Sequence, residues 1–566
     1  MGGAESCTNR MYRGGGAGRS SEDAVLNAKA LGLVAYPKKD KKDMGYGTAG
    51  FRAAADGLDH ILFRMGILAA LRSKVLCGKA VGVMVTASHN PERDNGVKLV
   101  EPMGEMLPIE WEAHATMLAN APDNALATAI LQIVSALQID LDVDGEVWIG
   151  RDTRASSARL ALAVCDGAGA MQPTNIRSLG LTTTPQLHYA LRCNATAGAY
   201  GKPSLLGYAN KMFDSYCALV KSGPAPKNYK AKVVVDCANG IGAIALSTEV
   251  QRFKDAGLEM ELRNQGEGPL NDGCGADFVK LKQCQPQGVD TTSVKGVSLD
   301  GDADRSMYFF GGAGAGFRML DGDRQALLFA HFMATVMKTG GLEGIQVGIV
   351  QTAYANGGST VYAQKMLGKE YVLCAKTGVK HCHHAALALD VGIYFEANGH
   401  GTILFSDTFV KWARNNSKKP GAAGKAAEQL LLFRELINEA VGDAISNMLA
   451  VEACLQLLDW SCTEWFVMYE DLPNRQIKVV VADRSAFETT NAERTCVKPE
   501  GLQAEIDKLV SAVPSGRAFV RPSGTEDVVR VYVEAATLEA MLKLGQSVVD
   551  LVYERAGGVG AKPVVA

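Results

Sequence analysis

The sequence predicts an α/β fold of several units with a smaller α+β region at its C-terminal end, and three observations carry this. Five segments repeat one pattern: a short continuous apolar run, a small polar or glycine-rich loop, then a helix-like stretch. Those runs lack polar alternation, which suits strands buried on both faces, as in a parallel sheet covered by helices. Towards the C-terminus the pattern changes to the alternating, half-exposed strands of "DLPNRQIKVVVADRSAF" and "DVVRVYVEA". At 566 residues, 47% hydrophobic and 21% charged, the chain suits a soluble globular protein of roughly three to five domains.

Taken in order, "ILFRMGILAALR" is apolar with arginines at helical spacing and reads as a core helix. "VGVMVTASHN" is a buried strand that ends in a polar loop with Ser88 at its tip. "VWIGRDTRASS", "KVVVDCANGIGA", "GVSLDGDADR" and "IQVGIVQTAYANGG" repeat the strand–loop pattern. In such folds the loops at the carboxyl ends of strands collect the chemistry, and Ser88, Asp300 and Asn356 fall there. A Gly/Ala/Lys loop around residues 415–427 ("SKKPGAAGKAA") reads as a surface insertion before the helix-rich segment 430–460. "TLEAMLKLGQSVVDLVYERA" closes the chain as a helix. These changes put domain boundaries near residues 190, 312 and 455.

The formal net charge of -3 supplies no basic field, and no arginine-rich or aromatic-interleaved stripe appears, so a nucleic-acid partner is not expected. No apolar run reaches the length of a bilayer span. The 13 cysteines include no CxxC pair, which points to neither a disulfide framework nor a zinc ribbon and fits a reducing, cytoplasmic setting. "MGGAESC" matches an acylation pattern at Gly2 with Ser6 and a second acceptor at Cys7, ahead of the disorder-like "GGGAGRSS". No secretory signal follows. A monomer or weak homo-oligomer is expected.

The strongest local signal is "LDGDADR". In an extended loop alternate side chains share a face, so Asp300, Asp302 and Asp304 converge three carboxylates that repel unless a cation sits between them. A calcium hand would need glycine at the sixth position and an acid at the twelfth, where this chain has Arg305 and Gly311. A magnesium site with open positions for phosphate or water remains, beside the plainer reading of a solvated acidic turn. In "FVRPSGTEDVVRVYVEA", Arg521 and Arg530 offer forked contacts to phosphate, while Ser523, Gly524 and Thr525 add hydroxyls and backbone N–H groups. A turn with incidental arginines explains that segment equally well on its own.

"YFEANGHGT" sets Glu396, Asn398 and His400 at every second position, which suits hydrogen bonding to sugar hydroxyls. "KTGVKHCHHAA" tempts a metal assignment but lacks ligand spacing, and a helix start fits it better. Ser88 lacks the G-x-S-x-G elbow, and His89 is a poor general base for it because adjacent side chains diverge. A serine that carries a phosphoryl group instead needs a cation and basic neighbours, which the aspartate loop, Lys98 and Arg52 supply. Two separate phosphate sites suggest a substrate with phosphate at either end.

With "GTAGFR", "TASHNPERDNGVKLVEPMGEM", "LDGDADR", "GIVQTAYANGGST", "KTGVKHCHHAA", "EANGHGT", "VGDAISNMLAVEA", "DLPNRQIKV" and "VRPSGTEDVVRVYVEA" in this order, the chain resembles the α-D-phosphohexomutase superfamily from about residue 45 onward. The resemblance implies three α/β domains with mixed sheets and a smaller C-terminal α+β domain around a central cleft. The segments would be a phosphoserine-bearing domain with its N-terminal extension (1–190), a metal-binding domain (191–312), a sugar-binding domain (313–455) and a phosphate-binding domain (456–566). It implies an isomerase that interconverts the 6- and 1-phosphates of N-acetylglucosamine for UDP-N-acetylglucosamine synthesis. "EANGHGT" with "KTGVKHCHHAA" favours the acetylated sugar over glucose or mannose phosphate. An aspartate-nucleophile phosphatase is the reading from another class, and it leaves Ser88 without a task.

By the same resemblance Ser88 is phosphorylated, and one Mg2+ is held by Asp300, Asp302, Asp304 and a phosphoserine oxygen. A sugar 1,6-bisphosphate serves as intermediate and activator. Arg52, His89, Lys98 and Arg305 would line the reacting pocket. Glu396, Asn398 and His400 would bind the sugar, with Lys380 and His381 nearby, and Arg521, Ser523, Gly524, Thr525 and Arg530 the distal phosphate. Residues 1–44 have no counterpart in the pattern, and Cys382 stands where a bulky apolar residue is usual.

Overall fold

The computed structural model describes residues 21–39, 43–47, 50–312, 316–523, 528–555 and 557–565. Gly2 and Cys7, and with them the acylation reading, lie outside the described residues, as do Gly524 and Thr525. The chain forms two compact units: one comprises residues 1–223, 230–319 and 435–453, the other residues 224–229, 320–434 and 454–566.

The first unit holds two five-stranded sheets. Strands β1 (Phe51–Ala54), β2 (Val81–Val85), β3 (Asp94–Val100), β4 (Gly145–Arg151) and β5 (Thr174–Leu181) are arranged β1-β3-β2-β4-β5. The pairs β2/β4 and β4/β5 are parallel, while β3 runs antiparallel to both β1 and β2. The second sheet has strands β6 (Lys232–Asp236), β7 (Glu259–Arg263), β8 (Lys295–Leu299), β9 (Ser306–Phe310) and β10 (Arg318–Leu320), in the order β10-β9-β8-β6-β7. Its core is parallel, and β9 turns back antiparallel to β8. Both sheets are mixed, as the resemblance implies. The apolar runs give the parallel, doubly covered strands, and a chain reversal beside each of Ser88 and Asp300 adds an antiparallel neighbour.

The expected core helix spans Asp59–Val75 and is buried nearly all round. It packs on Ser157–Ala170 through facing glycines: a Cβ on Gly66 would lie 2.2 Å from the Val164 carbonyl, and one on Gly167 would lie 1.8 Å from that of Phe63. Its buried Arg64 donates to the carbonyls of Leu118, Ala119 and Ala121 and to Asp123, so no charge is left uncompensated. The helix Ser21–Ala35, in a region the sequence offers no pattern for, buries Val25 and Ala28 in the same core.

In the second unit, β11 (Val347–Thr352), β12 (Val372–Ala375), β13 (Val391–Phe395) and β14 (Gly401–Phe405) form a sheet in the order β12-β11-β13-β14, parallel except for the β13/β14 hairpin. The segment 415–427 is not a long loop: the helices Asp407–Ser417 and Ala422–Leu436 occupy most of it, since alanines outweigh the glycines there. A smaller C-terminal body follows, with β15 (Asn474–Val480), the hairpin of β16 (Glu488–Thr490) and β17 (Thr495–Lys498), β18 (Arg517–Pro522) and β19 (Val528–Glu534). The sheet β15-β19-β18 is antiparallel. One face packs Val479, Val520, Val529, Val531 and Val533 against the helices Leu502–Ser511 and Leu538–Arg555. Among the described residues no helix is long and apolar enough to cross a membrane.

Candidate active site

Ser88 follows β2 by three residues and sits in a left-handed turn at φ +53°, only 1% exposed. The turn is held from within, because the Ser88 N–H donates to Thr86 Oγ1 at 2.9 Å. It is also held from beneath by the buried Arg154, which donates to the carbonyls of Ser88, Asn90, Pro91 and Asp94 and pairs with Asp152. Strands β1 and β3 then bring in basic side chains. Arg52 stands opposite Gly96, where a Cβ would lie 2.3 Å from the Phe51 carbonyl, and Lys98 stands opposite Met84.

The aspartate loop joins β8 to β9. It is a tight turn with Ala303 left-handed at φ +58°, not the extended loop that alternate spacing suggests. The turn wraps its first carboxylate: Asp300 Oδ1 accepts the N–H groups of Asp304 and Arg305 at 2.9 and 3.1 Å. Asp300 Oδ2 accepts Ser88 Oγ at 2.6 Å. Asp302 Oδ2 accepts from Lys98 Nζ at 3.2 Å and Thr184 Oγ1 at 2.7 Å, and Lys98 also reaches Asp304 at 3.0 Å. One oxygen from each of the three carboxylates lies within 4.8 Å of the others.

Burial and the neighbouring Asp304 and Asp302 charges push the Asp300 carboxyl well above its ordinary range. Burial and Asp304 act the same way on Asp302, but Lys98, Thr184 and Arg52 outweigh them and hold it low. Burial alone would lower Lys98, yet Asp302 and Asp304 overcome it and keep the ammonium protonated. Asp302 Oδ1 is buried with no hydrogen-bond partner among the described residues. An all-oxygen donor set with one unsatisfied buried oxygen fits a hard cation such as magnesium.

His89 departs from expectation. The left-handed backbone at Ser88 turns the two adjacent side chains towards each other, so His89 Nδ1 lies 3.4 Å from Ser88 Oγ. It is a poor base for another reason: burial, with Arg305 and Arg52 close by, pushes its imidazole down to about 2. Asp277, unremarked in the sequence, accepts from Arg305 at 2.9 Å and lies 3.6 Å from His89 Nε2. Arg154, Thr184, Asn271 and Asp277 were all missed; Arg154 falls in the strand–loop segment "VWIGRDTRASS", but nothing in that segment shows its partners.

The second unit carries the residues that the sequence pattern leads one to expect at sugar and distal phosphate. Glu396, Asn398 and His400 form the tight turn of the β13/β14 hairpin, because Gly399 N–H closes on the Glu396 carbonyl at 2.9 Å. They therefore do not project as alternate residues of an extended loop. Asn398 Oδ1 accepts the His400 N–H at 3.0 Å, and its Nδ2 lies 3.4 Å from Glu396. Lys380 and His381 open the helix Val379–Ala386, as a helix start predicts. Burial and then Glu396 push the Cys382 thiol of that helix up to about 12.

Across the C-terminal sheet Arg521 faces Arg530, and Arg530 faces Lys478, so three cations share one row on one face. Arg521 Nε donates to Tyr354 at 2.9 Å and its Nη1 to Glu493 at 3.1 Å, while Arg530 Nε is buried with no hydrogen-bond partner among the described residues. Ser523 directly follows β18, with its N–H on the Val528 carbonyl at 2.9 Å. Opposed like charges on neighbouring strands are unfavourable unless an anion joins them.

Residues 51–125 and 119–204 match the phosphoglucomutase/phosphomannomutase α/β/α domain I, and 477–551 match its C-terminal domain. Residues 321–460 match phosphoacetylglucosamine mutase domain III. The phosphoacetylglucosamine mutase of Sus scrofa is 48% identical over 541 residues, covering 95% of this chain and 99% of that protein. The chain belongs to the phosphoacetylglucosamine mutase family. Family members have been solved from Aspergillus fumigatus. One structure, in complex with GlcNAc-6P and magnesium, aligns at a TM-score of 0.87 and 43% identity, covering 94% of this chain and 99% of that one. A serine-to-alanine variant in complex with glucose 1,6-bisphosphate aligns at 0.86 and 43%, covering 96% and 100%. The fold of this phosphoacetylglucosamine mutase family member is thus the phosphohexomutase fold of mixed α/β sheets with a smaller C-terminal domain.

Proposed function

We propose that this chain interconverts N-acetylglucosamine 6-phosphate and N-acetylglucosamine 1-phosphate, passing the phosphoryl group through Ser88. The carrying observation is Ser88 Oγ hydrogen-bonded at 2.6 Å to one member of a buried three-carboxylate cluster. The relatives' activities, and the complexes of the Aspergillus enzyme, support the same reading.

In the forward direction the phosphoserine P–O bond to Ser88 Oγ breaks as a P–O bond to the sugar 1-hydroxyl forms. Oγ takes up one proton while the sugar hydroxyl gives one up. The resulting 1,6-bisphosphate turns over, and its 6-phosphoryl group returns to Ser88 to leave the 1-phosphate, for UDP-N-acetylglucosamine synthesis. Magnesium, held by Asp300, Asp302, Asp304 and an oxygen on Ser88, would supply positive charge against the phosphoryl oxygens. Lys98, kept protonated by Asp302 and Asp304, offers a proton and a charge at the aspartate loop that Ser88 meets. Arg305 and Arg52 add fixed charge, and neutral His89 orients Arg52 from 3.5 Å. Glu396, Asn398 and His400 would bind sugar hydroxyls, Lys380 and His381 would lie nearby, and Arg521, Ser523, Gly524, Thr525 and Arg530 would receive the non-transferring phosphate. A free sugar 1,6-bisphosphate would prime Ser88.

The same reading divides the chain at residues 190, 312 and 455; one main sheet falls in each segment, except that β10 of the second sheet, at Arg318–Leu320, lies past the boundary at 312. A cytoplasmic, monomeric or weakly associating protein belongs with it. The test compares turnover of N-acetylglucosamine, glucosamine and glucose 6-phosphates with magnesium and a sugar bisphosphate. N-acetylglucosamine 6-phosphate should be fastest, and faster glucose phosphate would sink the substrate assignment. Intact mass should show a phosphate that Ser88→Ala lacks; an active Ser88→Ala protein would refute the carrier role.

A further inference from the structure

The bond between Ser88 Oγ and Asp300 cannot persist through the proposed cycle. It uses the hydroxyl proton, and an esterified Oγ has none. A contact that does not use Oγ would keep the serine loop in register with the aspartate loop throughout, while phosphate comes and goes.

The backbone around Ser88 supplies the answer. The Ser88 carbonyl accepts from Arg154 Nη2 and from Asn271 Nδ2, both at 2.9 Å. The Asn90 carbonyl accepts from the same two groups, at 2.9 and 3.0 Å. Two carbonyls are thus each clamped twice, by donors of different origin. Arg154 follows β4 in the sheet that carries Ser88, whereas Asn271 lies between β7 and the helix Ala276–Lys282, in the sheet that carries the aspartates. Asn271 is itself fixed, at φ +60° with its N–H on the Ala238 carbonyl at 2.9 Å. Gly301, between the metal-type aspartates, closes the junction. A Cβ there would lie 2.6 Å from the Ser88 carbonyl and 3.0 Å from Asn271 Nδ2.

We infer that Asn271 is a positioning residue whose amide registers the Ser88 loop against the aspartate loop in both the hydroxyl and the phosphorylated state. The inference rests on the phosphoserine reading and deepens it. None of these four hydrogen bonds involves Oγ, so none is lost when Oγ is esterified.

Asn271→Asp and Asn271→Gly test this, because both residues tolerate a left-handed backbone and both lack the amide donor. In each variant kcat for N-acetylglucosamine 6-phosphate should fall roughly ten- to hundred-fold, as expected for a displacement near 1 Å. KM should stay within about two-fold, since substrate contacts are untouched. Phosphate gain at Ser88 from glucose 1,6-bisphosphate, read by intact mass, should slow in parallel. Hydrogen exchange at the amides of residues 88–90 and 92–94 should quicken in both variants. A retained kcat, a KM rise without a kcat loss, or unchanged exchange in either variant would overturn the positioning role. If wild type gains no phosphate and turns over no phosphosugar, the phosphoserine reading fails instead, and exchange alone decides whether the clamp exists.

Discussion

Replacing Arg530 by glutamine separates two demands on one guanidinium. In the C-terminal sheet Arg530 stands opposite Arg521 on one side and Lys478 on the other, and its Nε is buried without a hydrogen-bond partner among the described residues. Each opposed like-charged pair costs about 0.2–1 kcal/mol, so removing the central cation relieves two such terms, about 0.4–2 kcal/mol together. In the proposed complex the same group would make a charge-assisted hydrogen bond to the distal phosphate, worth about 1.5–3 kcal/mol. At about 1.4 kcal/mol per tenfold, KM should rise roughly 10- to 150-fold. The assay pairs steady-state kinetics on N-acetylglucosamine 6-phosphate with denaturant unfolding of the ligand-free protein. Arg530→Gln should bind substrate worse while unfolding at the same or a higher denaturant concentration. A KM within about two-fold of wild type would refute the phosphate role. A stability loss above about 1 kcal/mol would show that the guanidinium serves the fold instead.

Asp302→Ala should lower kcat by roughly two or more orders of magnitude with little change in melting temperature, because its unsatisfied oxygen serves the site and not the core; near-normal turnover in magnesium would contradict this. Gly301→Ala should cost about 1–3 kcal/mol of stability, since its Cβ would press on the Ser88 carbonyl, and kcat and unfolding should fall together. His60 gives a pH signature. It is 4% exposed, and burial, with Arg64 and Lys38 nearby, pushes its imidazole down to about 4. The unfolded chain takes up that proton near pH 6.5 and the native chain only near 4, so stability should fall as pH drops across this window. The loss should be about 1–3 kcal/mol once solvent screening is allowed for, and His60→Gln should flatten it in urea titrations. An unchanged pH slope in that variant would refute the assignment.

What could be read in the sequence follows from what each residue does alone. Doubly buried strands announce themselves as unbroken apolar runs, and β2, β4, β6, β8 and β11 were legible in that way. The reversals β3, β9 and β14 were not, because whether a chain turns back or crosses over depends on tertiary packing. Ser88, the three aspartates and Arg521 with Arg530 were found by chemical type and local spacing. The geometry assumed for them was less secure: the aspartates converge through a tight turn, and a left-handed Ser88 brings His89 near when adjacency suggested divergence. Asn271, Arg154, Thr184 and Asp277 were invisible, since their roles exist only through partners far along the chain. Asn271 meets Ser88 across 183 residues, and no periodicity encodes such a distance.

The setting of Ser88 also decides how its first phosphate can arrive. A partner protein that reads a short segment in extended form needs that segment's backbone free to pair or to enter a groove. Ser88 offers no such stretch: it is buried, left-handed, and tied through its carbonyl and that of Asn90 to two side chains. Threading it into another protein would mean dismantling the junction between two sheets. In the proposed cycle, therefore, the activating phosphate enters as a small diffusible molecule, the sugar 1,6-bisphosphate that is also the cycle's own intermediate.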